Sequence, residues 1–272
     1  MAVRMRLSGL IIGLGLFVSA CDPGQGGYTI TVSPESNQTA SENPAESVTS
    51  QTQAYEDQGS GGTQAPNWPP VKDGQKIEMA GNFLTENYYI ILDASGSMSY
   101  TVGQNGGDKR IDAAKKAVTA FLRELPRDVN LGLLSFQPTR ELVPLGAGKH
   151  QEVAEQVQRL IPQGKTPLHR AMTMGYAALE NQARRQSGYG TYKLIVVTDG
   201  ESNDQDPGPL ARAIVNSSPV EVHVIGFAIA DHALNIPGVT RYVTANSTEE
   251  LVKALTDTTK SESESFDVLS FE

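Results

Sequence analysis

From residue 87 onward, short apolar runs alternate with longer stretches of helical periodicity. Asn87–Leu92 is an almost unbroken apolar run, the pattern of a strand covered on both faces in a parallel sheet. Ile111–Leu125 sets Ile111, Ala114, Val118, Phe121, Leu122 and Leu125 on one face of an amphipathic helix. Asn130–Phe136 reads as the next strand, and Glu141–Leu145 as an antiparallel edge. Glu152–Ile161 and Leu168–Ala183 read as helices, Lys193–Thr198 as a central strand, Pro209–Asn216 as a helix and Glu221–Phe227 as a strand. Arg241–Val243 is a short last strand. Ser247 then caps a helix, with Glu250 three residues later as its capping-box partner. Strands and helices in alternation, joined by short links, predict an α/β domain with a doubly wound, mostly parallel sheet flanked by helices. Ligands of such sheets gather at the carboxyl ends of the strands.

The pattern differs before residue 81. Arg4 and Arg6 precede an apolar run, Leu7–Ala20, which is too short for a comfortable membrane span and reads as a signal peptide over residues 1–20. Val18-Ser19-Ala20-Cys21 resembles a bacterial lipobox, which implies lipidation of Cys21, the only cysteine. An ordinary cleavage after Ala20 is the alternative. Asp22 resembles an inner-membrane retention signal of some lipoproteins. Residues 21–80 are rich in Ser, Gln, Thr, Gly, Glu and Pro and read as a flexible tether, with Tyr28–Val32 as one brief candidate strand. Such a tether reaches on the order of 40 Å from its anchor. Residues 81–260 form the expected domain, and 261–272 an acidic tail.

Charge and composition narrow the function classes. Of 272 residues, 39% are hydrophobic, which suits a globular core, and the formal net charge of −9 argues against a nucleic-acid binder. The candidate chemistry lies in three stretches: Asp93-Ala94-Ser95-Gly96-Ser97, Gly164-Lys165-Thr166-Pro167 and Thr198-Asp199-Gly200. Asp93 and Asp199 each follow the end of an expected strand, which puts both on the ligand-binding edge. Together with Ser95, Ser97 and Thr166 they offer only hard oxygen donors. A small divalent cation such as Mg²⁺ takes six oxygens and keeps some of them as water. Helix capping is the plain structural alternative for either aspartate alone. Gly96 and Gly200 are expected to permit tight turns.

Asp93-x-Ser95-x-Ser97 with Thr166 and Asp199 resembles the metal-ion-dependent adhesion site of the von Willebrand factor type A domain, over roughly Asn87 to Thr258. The resemblance implies a Rossmann-like fold and a divalent cation, Mg²⁺ first and Mn²⁺ or Ca²⁺ next. It implies that Ser95 and Ser97 bind the ion directly, and Thr166 directly or through water. Asp93 and Asp199 then supply negative charge, often through water. The partner it implies is a protein offering an Asp or Glu carboxylate to the open position. With the lipobox, the expectation is a lipoprotein anchored to a bacterial membrane in the cell envelope, not an enzyme.

Two other functions stay open: an accessory subunit of a membrane-associated ATPase or chaperone assembly, and an envelope hydrolase using Ser97. No Gly-x-Ser-x-Gly elbow surrounds Ser97, and no histidine is placed by sequence as its base. Gly164-Lys165-Thr166 echoes a phosphate loop, but Arg159 stands where its first glycine belongs. Glu201, Asn203, Asp204 and Asp206 read as a solvated loop, with support of the centre from behind its ligands or contact with a partner as the alternative, and Ser99–Arg110 as an overhang or an idle loop.

Overall fold

The computed structural model describes residues 29–30, 68–71, 74–102, 107–136, 139–229 and 231–260. The expected signal peptide, Cys21, most of the tether and the tail 261–272 lie outside the described residues. A two-residue ladder pairs β1 (Thr29–Ile30) antiparallel with β2 (Ile77–Glu78). The main sheet contains β3 (Asn87–Leu92), β4 (Asn130–Phe136), β5 (Thr139–Ala147), β6 (Tyr192–Thr198), β7 (Val220–Phe227) and β8 (Thr240–Ala245). Its order is β5-β4-β3-β6-β7-β8, parallel except for β5, which runs antiparallel to β4.

Among the described residues five helices flank this sheet: α1 (Arg110–Glu124), α2 (His150–Arg159), α3 (Leu168–Arg185), α4 (Gly208–Ser217) and α5 (Thr248–Asp257). Tyr88, Ile90 and Leu92 of β3 pack with α1, α2 and α5, while Tyr89 and Ile91 pack with α3 and α4. This is why the strand reads as a continuous apolar run: both of its faces are covered. Among the described residues no helix is long and apolar enough to cross a membrane.

The expected elements are present, with shifted ends. α1 stops at Glu124, and Leu125 is already extended ahead of Pro126, as the residue before a proline prefers. β5 runs further than its core pattern because it is an edge strand, where Pro144 is tolerated. Ser247 Oγ accepts the amide of Glu250 at 3.1 Å as expected, but Glu250 Oε2 returns to the amide of Asn246 rather than to that of Ser247. Packing against the sheet also begins ahead of residue 81. The Trp68 ring meets Tyr192 edge-on at 5.0 Å, Arg184 Nε donates to the Pro70 carbonyl, and Met79 is buried.

The strand order changes direction between β3 and β6. From β3 the chain crosses to β4 on one side; from β6 it crosses to β7 on the other. The crevice outside the carboxyl ends of two such neighbours is the ligand position of open α/β sheets. Asp93 is the first residue after β3 and Asp199 the first after β6. In-register pairing of Leu92 with Val197 brings Asp93 level with Thr198, one residue short of Asp199, at that crevice.

Candidate metal centre

The turn after β3 is built by Asp93. Its backbone amide continues the sheet to Val197 O at 2.9 Å. Its Oδ1 accepts the amide of Ser95 at 2.7 Å, and its Oδ2 accepts the hydroxyl of Thr198 at 2.7 Å. Ser95 then leads into a single 3₁₀ turn, Gly96–Ser99. Asp93 therefore shapes a strand-to-turn corner and is not a helix cap.

From that corner the hydroxyls run in a chain. Ser97 Oγ donates to Asp199 Oδ1 at 2.7 Å, and Ser95 Oγ lies 2.9 Å from Ser97 Oγ. Because the Ser97 proton goes to Asp199, Ser95 is the donor between the two serines. Asp93 is 0% exposed, Ser95 and Asp199 are buried, and Ser97 is half-buried.

Thr166 arrives on a separate loop held on both sides. Gly164 accepts the amide of Gly96 and adopts φ of +72°, a left-handed conformation that favours glycine. Gly96 opens the tight 3₁₀ turn and Gly200 follows Asp199, and neither has a positive φ. A Cβ at Gly96 would lie 3.4 Å from Gly164 O, an ordinary van der Waals contact. On the other side, Thr166 and Asn203 exchange bonds: the Thr166 amide donates to Asn203 Oδ1 at 2.8 Å, and the Asn203 amide to Thr166 O at 2.8 Å. A Cβ built on Gly200 would be 4.0 Å from Thr166 Oγ1, so the threonine hydroxyl faces the turn that carries Asp199.

The acidic loop after Asp199 is thus a clamp. Asp204 accepts the amides of His169 and Arg170 at the start of α3. Burial pushes its carboxyl up, but bonds from Ser202, Arg170, Gln205 and His169 outweigh that and hold it below the usual carboxylate range. Asp206 accepts the amide of Gly208 at the start of α4. Beneath the loop, His232 Nδ1 accepts the amide of Leu234 at 3.0 Å, so Nε2 carries the proton and donates to Gly200 O at 3.0 Å.

His232 and Arg110 are the residues of the centre that sequence reasoning missed, while Thr198 lay in a stretch it named without giving this residue a role. Arg110 Nη1 bonds Asp199 Oδ2 at 2.8 Å. The one sequence signal for it is a cation on the first residue of a helix, where the macrodipole disfavours positive charge.

The donor chemistry fits a hard divalent cation. Every side chain offered is a carboxylate or hydroxyl, and each carboxylate oxygen keeps a lone pair beyond the bond described. Among the described residues there is no cluster of three or more His, Cys, Asp or Glu, so a soft-metal site or an all-carboxylate cage does not fit. Burial pushes the Asp93 carboxyl up to about 6 against the pull of its bonds to Thr198 and Ser95, and the nearby Asp199 charge adds to the rise. A carboxylate taken out of water without a cation is costly, and an ion beside it relieves that cost. For hydrolysis, by contrast, no histidine bonds Ser95 or Ser97 among the described residues.

The von Willebrand factor type A domain matches residues 87–271. The uncharacterized protein YwmD of Bacillus subtilis (strain 168) is 27% identical over 191 residues, covering 62% of this chain and 82% of that protein. A von Willebrand factor type A protein from Catenulispora acidiphila superposes with a TM-score of 0.51 at 21% identity, over 68% of this chain and 43% of that one. The PilB minor pilin of Streptococcus sanguinis superposes with a TM-score of 0.50 at 16% identity, over 69% of this chain and 64% of that one. The chain thus spans less than two thirds of either solved protein, and at these identities the likeness is one of fold. By sequence and by fold alike, the chain belongs to the von Willebrand factor type A domain family.

Proposed function

We propose that this chain is a membrane-anchored lipoprotein that captures a protein partner through a divalent cation, Mg²⁺ first among the candidates, held by Asp93, Ser95, Ser97, Thr166 and Asp199. The observation that carries this reading is the convergence of those residues, from three separate loops, on the crevice between β3 and β6. Occurrence of the fold in a bacterial pilin supports an interaction role over a catalytic one.

Held by these residues, a divalent cation would supply Lewis-acid attraction for a carboxylate oxygen of the partner. The protein's part is to pre-orient the donors. Thr198 fixes the Asp93 carboxylate, Asn203 fixes the Thr166 backbone, and His232 fixes Gly200 beside Asp199. The ion's charge would offset the two buried carboxylates, whose burial is costly without it. Cys21 is the proposed lipid attachment, with the domain on the extracytoplasmic side.

The test is capture from detergent-solubilised membranes with Mg²⁺ against EDTA, using the wild type and Asp93→Ala. The expected result is a partner retained with Mg²⁺ and lost with EDTA or in the variant. Equal capture under all three conditions would reject the reading.

A further inference from the structure

Arg110 supplies a positive charge that the five-residue ligand set does not include. Its Nη1 reaches Asp199 Oδ2 at 2.8 Å, with side-chain exposures of 19% for the arginine and 0% for the aspartate. The guanidinium lies 5.9 Å from the centroid of the Tyr100 ring, and the Arg110 amide donates to Tyr100 O. That bond, the bridge between Thr101 and Lys109 and the bond from the Val102 amide to Asp108 O close the neck of the loop before α1. The loop therefore holds Arg110 against the centre.

The pairing is incomplete. A guanidinium carries five N–H donors. Among the described residues only Nη1 reaches Asp199, and Nε is buried without a hydrogen-bond partner. The charge also sits on the first residue of α1, against the macrodipole. Its attachment to Asp199 is thus a single contact between cation and carboxylate, open to replacement by a stronger cation.

We propose that Arg110 is the exchangeable counterion of the metal centre: it holds Asp199 while no divalent ion is bound, yields that carboxylate to the ion, and remains beside it as a positive charge that selects an anionic partner. The proposal rests on the metal reading above. Asp93 and Asp199 with Arg110 carry a net charge of −1, and adding a dication brings the centre to +1. Without Arg110 the loaded centre is neutral. The guanidinium and the ion repel one another at the same carboxylate, so Arg110 weakens metal binding while sharpening the preference for an acidic ligand.

The test compares the wild type, Arg110→Gln and Arg110→Lys for Mn²⁺ binding, read from the electron paramagnetic resonance signal of the free ion, and for thermal unfolding with and without Mg²⁺. Arg110→Gln is expected to bind Mn²⁺ roughly tenfold more tightly and to gain more in Tm from Mg²⁺ than the wild type. Arg110→Lys keeps the charge without the fork and is expected to fall between them. Should Arg110→Gln not fold, a gain in Arg110→Lys alone supports the exchange. Equal Mn²⁺ affinity in wild type and variants overturns the exchange and leaves the metal site standing, and weaker binding in the variants overturns it likewise. No Mn²⁺ binding in any of the three removes the metal reading itself, and the exchange with it.

Discussion

The Ser97 hydroxyl lies 2.7 Å from the Asp199 carboxylate, although 102 residues separate them in the chain. The contact joins the turn after β3 to the turn after β6, the two strands between which the sheet reverses its order. It depends on the register of those strands, so it is a property of the whole sheet and not of either turn.

Thr166 separates binding from folding most cleanly. Its backbone is held by Asn203, but no hydrogen bond holds its hydroxyl among the described residues. Thr166→Ala should change the unfolding free energy by less than about 1 kcal/mol while weakening Mg²⁺ binding by roughly tenfold. Denaturant titration and calorimetry on the same preparation check both halves. Unaltered Mg²⁺ affinity would remove Thr166 from the ligand set.

Asn203 carries the complementary prediction. Asn203→Ala removes the acceptor from the part-buried Thr166 amide, at a cost of about 1 kcal/mol, and loosens the loop that presents the hydroxyl. Both stability and Mg²⁺ affinity should fall together. A variant that loses stability and keeps full affinity would show the clamp to be structural alone.

The pH dependence of the metal-free protein follows from Asp93. Its folded value is raised from 3.8 to about 6, so the folded state holds this proton more tightly than the unfolded chain does. The stability it contributes is present below the unfolded value and is lost as pH rises through the folded one. Between about pH 4 and pH 7 that loss is on the order of 2–3 kcal/mol. Asp93→Asn should flatten this part of the profile, measured by denaturant unfolding in EDTA. Mg²⁺ should stabilise the wild type more at about pH 7 than at about pH 5, because the ion needs the deprotonated carboxylate.

Gly132 tests the packing that fixes the β3 register. A Cβ at Gly132 would lie 2.6 Å from Tyr89 Cδ2 and 3.2 Å from Leu145 Cα, while a Cβ at Gly175 on the ring's other side would lie 3.0 Å from Tyr89 Cδ1. The Tyr89 ring, or the strand that carries Gly132, has to shift to admit the methyl. Gly132→Ala should destabilise by about 1–3 kcal/mol, and Tyr89→Leu in the same chain should recover part of that. Additive losses in the double variant would show that the ring is not what restricts the glycine.

The fold was legible because β3, β4, β6 and β7 are buried on both faces, which leaves long apolar runs, and because α1 and α3 are strongly amphipathic. The two aspartates were legible because each ends a strand. What was not legible depends on contacts between loops. Asn203 and Asp204 read as solvated polar residues, yet they grip Thr166 and the start of α3 through backbone bonds that sequence spacing does not encode. Arg110 reads as the last residue of the loop before a helix, and its place on Asp199 appears only when α1 is docked. The glycine of the site that needs a left-handed backbone is Gly164, not Gly96 or Gly200.

The most direct test of the cation centre is isothermal titration of the EDTA-stripped domain with Mg²⁺ and Mn²⁺, in the wild type and in Asp93→Asn. A single saturable site in the wild type, absent from a folded Asp93→Asn, is the predicted result. Equal heats in the two proteins, or no saturable heat in the wild type, would contradict the account.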